Sequence, residues 1–283
     1  MNTAKIYAFA DEADKQMKGQ IQAIVRNGLQ GLEIRGVDGE NVSKISLDKA
    51  KEVRKMLDDN GLITWSIGSP IGKIKITDAF EPHLEELRHT LEIADILGAK
   101  NMRLFSFYMT EQPQQWKQKV IDRMGAFLEM AKNSDVRLCH ENEKGIYGDT
   151  AQRCLQLFQA LPELGGIFDP ANFVQSGEDT LRCWNLLKNH IHYLHIKDSL
   201  ADGSVVPAGK GCGNVAAIVK DYLAMGGSAM TLEPHLTVFD GLKGLEGSGD
   251  TSVVGAVYTF DNAAAAFDAG CDAIKEILAE IGG

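Results

Sequence analysis

The sequence predicts an α/β fold of the (β/α)8 barrel class, in which eight parallel strands are enclosed by outer helices. Three observations lead to this prediction. Short apolar segments alternate with segments of helical periodicity eight times along the 283 residues. A glycine follows three of the helical segments just before the next strand, at positions 28, 61 and 98. The length also fits, because such a barrel needs about 250 residues.

The predicted elements are short apolar strands and longer amphipathic helices, and together we expect them to form one domain over residues 1–283. The predicted strands are Lys5–Ala10, Gly31–Arg35, Ile63–Gly68, Asn101–Phe107, Val136–Glu141, Gly165–Asp169, Ile191–Lys197 and Ala229–Glu233. The predicted helices are Lys15–Asn27, Leu47–Asn60, Pro82–Leu97, Gln115–Lys132, Thr150–Leu161, Thr180–Lys188, Asn214–Met225 and a last one at Tyr258–Ile281.

A doubly wound parallel sheet is the rival fold. A nucleotide-binding sheet of that kind requires a glycine-rich turn after the first strand. Residues 9–14 contain no glycine, which argues against it. Two segments are longer than an ordinary connection, residues 199–213 after the seventh strand and residues 236–255 after the eighth. We expect both loops at the C-terminal face of the barrel, where barrel active sites lie.

Composition and charge exclude several classes of function. The formal net charge of −10 argues against general affinity for nucleic acid, because phosphate backbones carry the same sign. No apolar run reaches the roughly 18 residues of a membrane span. The first residues lack the order of a signal peptide, and the five cysteines show no CxxC spacing. We therefore expect a cytoplasmic protein with reduced cysteines.

Four predicted strands end in a side chain that can bind metal, namely Glu141, Asp169, His195 and Glu233. The steps between them are 28, 26 and 38 residues, each the length of one strand and one helix. Alone, an acidic residue at a strand end is more often a helix N-cap or a loop charge. Together they converge, since the C-terminal ends of barrel strands meet around one centre. Three carboxylates there would repel one another, and a divalent Mn, Mg, Co or Zn ion removes that conflict.

Five sequence strings mark these strand ends and the loop between two of them. They are Leu138-Cys-His-Glu-Asn142, Phe168-Asp-Pro-Ala-Asn172, Leu194-His-Ile-Lys-Asp198, Pro207-Ala-Gly-Lys-Gly211 and Leu232-Glu-Pro-His235. In order and spacing they resemble the signature of the xylose-isomerase-like TIM-barrel family. That family contains sugar and sugar-phosphate isomerases and 3-epimerases, inosose-processing enzymes and endonuclease IV. The resemblance implies one divalent metal ion bound by the four strand-end residues.

The resemblance also implies a metal-dependent isomerase or epimerase that acts on a small sugar or sugar phosphate through an enediolate. In related epimerases the corresponding two glutamates remove and return the proton, and we carry these catalytic roles over to Glu141 and Glu233 as a hypothesis. A metal-dependent dehydratase of inosose-type keto-polyols would use the same enediolate. The sequence does not separate these two alternatives.

Four further residues are candidates for substrate binding. Asn172 stands where many relatives have a histidine, and it keeps a hydrogen-bonding group for a sugar hydroxyl. Lys197 shares the strand face of His195 and could polarise a substrate oxygen, although a salt bridge explains it equally well. Lys210 could meet a phosphate or be a solvated loop residue. Arg35 could contact substrate, with structural ion pairing as the alternative for it and for Glu33.

Two histidines lie next to ligand positions in the sequence. Strand alternation puts His140 and His235 on the opposite face, so we expect them to orient or pack rather than bind metal.

Two other functions are weaker alternatives. An endonuclease IV-like repair enzyme would need a histidine-rich multi-metal site and a basic face, whereas this chain has seven histidines and an acidic balance. A non-catalytic sugar-binding protein would have no need for both glutamates. The sequence leaves the oligomeric state open, and a homo-oligomer is compatible with it.

Overall fold

The computed structural model describes residues 4–110, 113–238, 253–255 and 257–282. Eight parallel strands close into a barrel whose order follows the chain, and the last strand pairs with the first. This confirms the predicted (β/α)8 fold. The strands are β1 (Lys5–Ala8), β2 (Gly31–Ile34), β3 (Ile63–Ile67), β4 (Asn101–Leu104), β5 (Arg137–Glu141), β6 (Gly165–Phe168), β7 (Ile191–Ile196) and β8 (Ala229–Leu232).

Helices surround this barrel, and each predicted helix overlaps an observed one. They are α1 (Met17–Arg26), α2 (Leu47–Asp59), α3 (Glu81–Leu97), α4 (Lys117–Ala131), α5 (Ala151–Ala160), α6 (Pro170–Gln175), α7 (Thr180–Leu187), α8 (Val215–Ala224) and α9 (Ala263–Gly282). The short helix α6 was not predicted. Among the described residues, no helix is long and apolar enough to span a membrane.

The helix ends follow local chemistry. The side chains of Ser46 and Thr150 accept hydrogen bonds from the backbone N–H groups of Lys49 and Arg153, which caps α2 and α5. Gly98 ends α3 with a φ of 71°, a left-handed conformation that glycine adopts without a steric penalty. Helix α3 therefore ends at Leu97, where the sequence predicts it to end.

The barrel interior has a packed floor and a polar upper layer. The floor contains Tyr7, Cys139, Ile167 and Tyr193, with Trp65 packed against them and stacked on Tyr7 at 4.8 Å between ring centroids. Above it, inward-facing positions of several strands carry charged side chains that are almost completely buried. The floor closes the N-terminal half of the barrel, so the charged groups gather at the C-terminal end.

The two long loops predicted at this end differ in what the structure describes. Residues 199–213 are described throughout, and two-residue strands at Asp198–Ser199 and Val205–Val206 pair antiparallel within that segment. Most of the predicted loop 236–255, namely residues 239–252, lies outside the described residues. Its role in the site stays a prediction.

Candidate active site

Four potential ligands meet at the C-terminal end of the barrel. Glu141 is the last residue of β5, Asp169 and Glu233 follow β6 and β8, and His195 lies on β7. All four are buried, and one ligand atom from each lies within 4.8 Å of those of the other three. The structure therefore brings together the side chains that the strand-end pattern singles out.

The two glutamates of this cluster are held in the same way. Glu141 Oε1 is 2.7 Å from His195 Nδ1, and its other oxygen accepts a hydrogen bond from Arg103 at 3.1 Å. Glu233 Oε2 is 3.5 Å from His195 Nδ1, and its other oxygen accepts a hydrogen bond from Arg35 at 2.8 Å. Each glutamate thus points one oxygen into the cluster and anchors the other on an arginine.

These charges keep both glutamates ionised at neutral pH. Burial alone would raise the pKa of Glu141, but the charges of His195 and Arg103 outweigh it and hold that pKa at about 2. Burial likewise opposes ionisation of Glu233, and the charge of Lys197 is the largest effect that overcomes it, so the pKa of Glu233 lies well below the usual value. Both side chains are therefore available as proton acceptors.

Asp169 differs from the two glutamates. Burial raises its pKa to about 7 despite the nearby charge of Lys197. Its Oδ1 accepts the backbone N–H of Asn172 and caps α6. Its Oδ2 is buried and accepts no hydrogen bond from any described residue, although Lys197 Nζ lies 3.0 Å away. A buried carboxylate oxygen without a hydrogen bond is costly unless a ligand satisfies it.

The donor set fits a divalent metal ion. Three carboxylates and one imidazole are the ligands that Mn²⁺, Mg²⁺, Co²⁺ and Zn²⁺ accept, and the oxygen-rich balance disfavours metals that prefer thiolates. Asp169 Oδ2, whose polar contact among the described residues is the Lys197 ammonium at 3.0 Å, is one of the atoms that such an ion would use. Arg35, Arg103 and Lys197 already offset part of the negative charge, so the cluster does not depend on the ion alone to hold its carboxylates together.

Lys197 and Arg35 lie at the cluster, and both make ion pairs. Lys197 Nζ is 3.0 Å from Asp169 and 3.5 Å from Glu233, and the side chain is 6% exposed. Arg35 pairs with Asp11 and Glu12 as well as with Glu233. The ion pairing that the sequence analysis left as an alternative is therefore present for both residues.

Asn172 and Lys210 lie in different surroundings. The side-chain amide of Asn172 donates a hydrogen bond to the backbone oxygen of Asn142, and the Asn142 side chain pairs with the backbone of Asp169. Asn172 thus helps to position Asp169. Lys210 is exposed.

The loop around Lys210 is organised by a carboxylate of the protein itself. The backbone N–H groups of Gly209 and Gly211 donate to Asp198 Oδ2, and that of Gly213 donates to Oδ1. A Cβ at Gly211 would lie 2.3 Å from Asp198 Oδ1, which explains the glycine there. The N–H groups that could have cradled a phosphate already bind Asp198.

His235 does not lie on the opposite face from the cluster, so that expectation was wrong. It is two residues after Glu233, and residues two apart in extended chain share a face. Its φ is 47°, and its Nε2 lies 3.3 Å from both Glu233 Oε1 and Glu12 Oε1. Its backbone N–H donates to Glu12 Oε2 at 2.7 Å. His235 therefore contacts one oxygen of Glu233 from within the site, which agrees with an orienting role.

The His140 side chain lies on the opposite face of its strand from Glu141, as strand alternation predicts. It is completely buried, and its Nε2 is 3.0 Å from Ser106 Oγ. Burial lowers the pKa of His140 from 6.5 to about 3. The folded protein therefore holds this ring neutral across a pH range in which the unfolded chain binds a proton.

We expect this ring to make the protein acid-sensitive. Because the unfolded state binds the extra proton, stability is full above pH 6.5 and falls as the pH drops from there towards 3. The slope from one such group is about 1.4 kcal/mol per pH unit. Chemical denaturation between pH 7 and pH 4.5 measures it, and His140→Gln should show a shallower dependence of the free energy of unfolding on pH. Equal slopes in the two proteins would contradict the assignment.

Two further residues of the site, Arg103 and Glu12, were not predicted from the sequence. Arg103 on β4 contacts Glu141 and lies 3.7 Å from Glu233. In the sequence, the one feature that marks it is a charged residue between the apolar Met102 and Leu104. Glu12 follows β1 and contacts Arg35 and His235. In the sequence it is one of three acidic residues in a turn, and nothing there distinguishes it from a solvated charge.

Comparison with known proteins supports the fold and its class. The family model of xylose isomerase-like TIM barrels matches residues 21–245. A search of curated proteins finds no match. The chain is similar to the crystal structure of the probable 3-DHS dehydratase AsbF, involved in petrobactin synthesis, from Bacillus anthracis. The TM-score is 0.74 at 17% identity, and the alignment covers 96% of this chain and 99% of that one.

Two further solved structures share the fold. The 3-keto-D-glucoside 4-epimerase YcjR from E. coli aligns with a TM-score of 0.69 at 14% identity, covering 99% of both chains. The IolI protein with a bound zinc atom aligns with a TM-score of 0.72 at 15% identity, covering 98% of both chains. At these identities the similarity establishes the barrel and leaves the reaction to be argued from the site.

Proposed function

This chain belongs to the xylose isomerase-like TIM barrel family, and on that premise we propose that it is a divalent-metal-dependent enzyme that isomerises or epimerises a sugar or sugar phosphate. One observation carries the proposal. Glu141 and Glu233 are two buried, ionised carboxylates that enter one cluster from different strands, each anchored by its own arginine. That arrangement suits proton transfer at two positions of one small substrate.

Glu141, Asp169, His195 and Glu233 would hold the metal ion, and Mn²⁺, Mg²⁺, Co²⁺ and Zn²⁺ all suit their donor atoms. When bound, the ion would supply Lewis-acid chemistry, drawing charge from substrate oxygens and acidifying the neighbouring C–H group. The zinc atom in the similar IolI structure supports a divalent ion in this class of barrel.

The two glutamates would perform the proton transfer. One carboxylate takes the proton from the carbon next to the carbonyl, and the C–H electron pair moves into an enediolate. The other glutamate, which must first take up a proton from solvent as substrate binds, gives that proton to the same carbon from the opposite face or to the neighbouring carbon. The first outcome is epimerisation and the second is isomerisation. Exchange with solvent then restores both protonation states.

The surrounding cations would keep each carboxylate in place during this exchange. Arg103 holds one oxygen of Glu141, and Arg35 holds one oxygen of Glu233, so each side chain turns only its other oxygen towards the cluster. Lys197 lies between Asp169 and Glu233 and is the side chain we propose to contact a substrate oxygen. Its positive charge would favour an oxygen that becomes negative.

A dehydratase is the second candidate. The similarity to the probable 3-DHS dehydratase AsbF favours it, and the first proton removal would be the same. The difference lies in the next step, in which the electron pair forms a C=C bond and breaks the C–O bond of the adjacent carbon, and the leaving hydroxyl takes the proton of the second glutamate and departs as water.

Deuterium exchange tests the proposal. The metal-loaded protein is incubated in D₂O with a panel of ketoses, keto-polyols and their phosphates, and deuterium next to the carbonyl is followed by NMR. Deuterium in an epimer or an isomer supports the proposal, whereas deuterium with loss of water identifies the dehydratase. The absence of exchange with every compound, in protein shown to contain metal, would refute both.

A further inference from the structure

The imidazole of His195 is fixed on every side. Its Nδ1 faces the ligand cluster, 2.7 Å from Glu141, and its Nε2 faces away from it, 3.1 Å from Glu33 Oε2. The rings of Phe9 and Tyr193 pack edge to face against it at centroid distances of 5.2 and 5.5 Å. A ring held in this way presents one nitrogen to the cluster and the other to Glu33.

Glu33 is itself held by its neighbours. Its side chain has no exposed surface. Its Oε1 accepts hydrogen bonds from the hydroxyl groups of Tyr193, at 3.0 Å, and Ser66, at 3.2 Å. Those two hydroxyls fix the carboxylate from the side of the barrel floor, which leaves Oε2 directed at His195. Among the described residues that hydrogen-bond to Glu33, only His195 belongs to the ligand cluster.

We propose that Glu33 is a positioning residue for the metal centre, and this inference rests on the proposed metal-dependent function. A carboxylate can only accept hydrogen bonds, so Glu33 requires a proton on Nε2 of His195. Without metal, Nδ1 also carries a proton, which it donates to the ionised Glu141 at 2.7 Å. An ion can bind Nδ1 only in place of that proton, while the Nε2 proton stays in its hydrogen bond to Glu33. Glu33 thereby selects the tautomer and the ring orientation in which His195 can bind a metal ion.

The substitution Glu33→Gln tests this with little change of volume. If the oxygen of the introduced amide keeps the hydrogen bonds from Tyr193 and Ser66, the amide NH₂ group faces Nε2 and favours a proton on Nδ1, the nitrogen that must be free. If the amide is reversed, the charge that supports Nε2–H is still lost. In either orientation we expect the affinity for Co²⁺ to fall by about 10- to 100-fold, as for the loss of other partners of metal-binding histidines.

The measurement is competition for Co²⁺ against a chromogenic chelator, in wild-type protein, in Glu33→Gln and in a matched control. Glu86→Gln is that control, because Glu86 is a paired glutamate of α3 that lies outside the barrel and contacts His83, Lys44 and Ser43. We expect the affinity of the control to stay within about twofold of wild type, since its contacts do not include His195.

A second readout separates positioning from a general loss of stability. In the Zn²⁺-loaded protein, ¹⁵N NMR of the imidazole should show a proton on Nε2 of His195 in the wild type and an altered signal in Glu33→Gln. Unchanged Co²⁺ affinity and an unchanged imidazole signal in the variant would overturn the inference and leave the proposed function standing. A wild-type protein that binds neither ion would overturn both.

Discussion

Replacing either Glu141 or Glu233 by glutamine is expected to lower the rate of epimerisation or isomerisation by about 10²- to 10⁴-fold, the range that general acid and base groups contribute. An amide cannot accept the proton from carbon at neutral pH, although its oxygen can still bind metal. The assay is therefore made at saturating Mn²⁺, and the metal content of each variant is measured directly. These two measurements distinguish loss of the catalytic base from loss of the metal ion.

For an epimerase, the two variants should also differ from each other in their proton exchange. The glutamate that remains can still remove a proton from its own face and return deuterium from D₂O to that face. Each variant should therefore incorporate deuterium into one epimer without inverting it and leave the other epimer unlabelled. The two variants should show opposite preferences. Such a pattern would assign each glutamate to one face of the substrate carbon.

The matched control is again Glu86→Gln. His83, Lys44 and the hydroxyl of Ser43 hold Glu86, and the hydrogen bond with His83 is the main reason that the pKa of Glu86 lies at about 2. Loss of this carboxylate should reduce stability and leave turnover per folded molecule within a few-fold of wild type. Retention of full turnover by both Glu141→Gln and Glu233→Gln would reject the two-glutamate mechanism.

The sequence was sufficient to predict the barrel because its signals are local and repeated. Each strand and helix has its own periodicity, and stops such as Leu97-Gly98 mark where one ends. Strand ends were predicted one to three residues too late at several places, for example at Phe107 instead of Leu104. After Leu104, Phe105 and Phe107 continue the apolar pattern, but their backbone N–H groups donate to Ile71 and Gly72, which lie outside the barrel strands.

The four candidate ligands could also be predicted, since closure of the barrel alone brings the ends of successive strands together. Several of the residues that contact these ligands could not be predicted. Arg103 and Glu33 are interior residues of strands, and a sequence does not show that a buried charge will find its partner 38 or 162 positions away. His235 was assigned to the wrong face for another reason: it is two residues after Glu233, and strand alternation places residues two apart on the same face.

The second large effect concerns the buried charge of Lys197. Replacing this residue by methionine should destabilise the metal-free protein by about 3–5 kcal/mol, the usual cost of removing one partner of a buried ion pair. Arg35 still balances Glu233 in the variant. The charge of Lys197 does most to counter the effect of burial on Asp169, whose pKa is already raised to about 7. The unpaired Asp169 should therefore account for most of the loss.

A divalent ion should relieve this destabilisation. Its charge at the cluster would replace that of Lys197, and removing Lys197 also removes a repulsion between two cations close together. We therefore expect saturating Mn²⁺ to stabilise Lys197→Met more than it stabilises the wild type, by the linkage between binding and folding. Urea denaturation with EDTA and with Mn²⁺ measures the stabilisation by Mn²⁺ of the wild type and of Lys197→Met. Lys197→Arg keeps the charge and serves as the control.

The outcome bears on how the cluster balances its charge. If Lys197→Met loses the same free energy of unfolding with EDTA and with Mn²⁺, the ion does not share the electrostatic field of Asp169 and Glu233, and these residues are not its ligands. If the loss is confined to the metal-free protein, Lys197 and the ion act on the same carboxylates. Lys197 would then stabilise the empty site, and in the loaded site its charge would be available for a substrate oxygen.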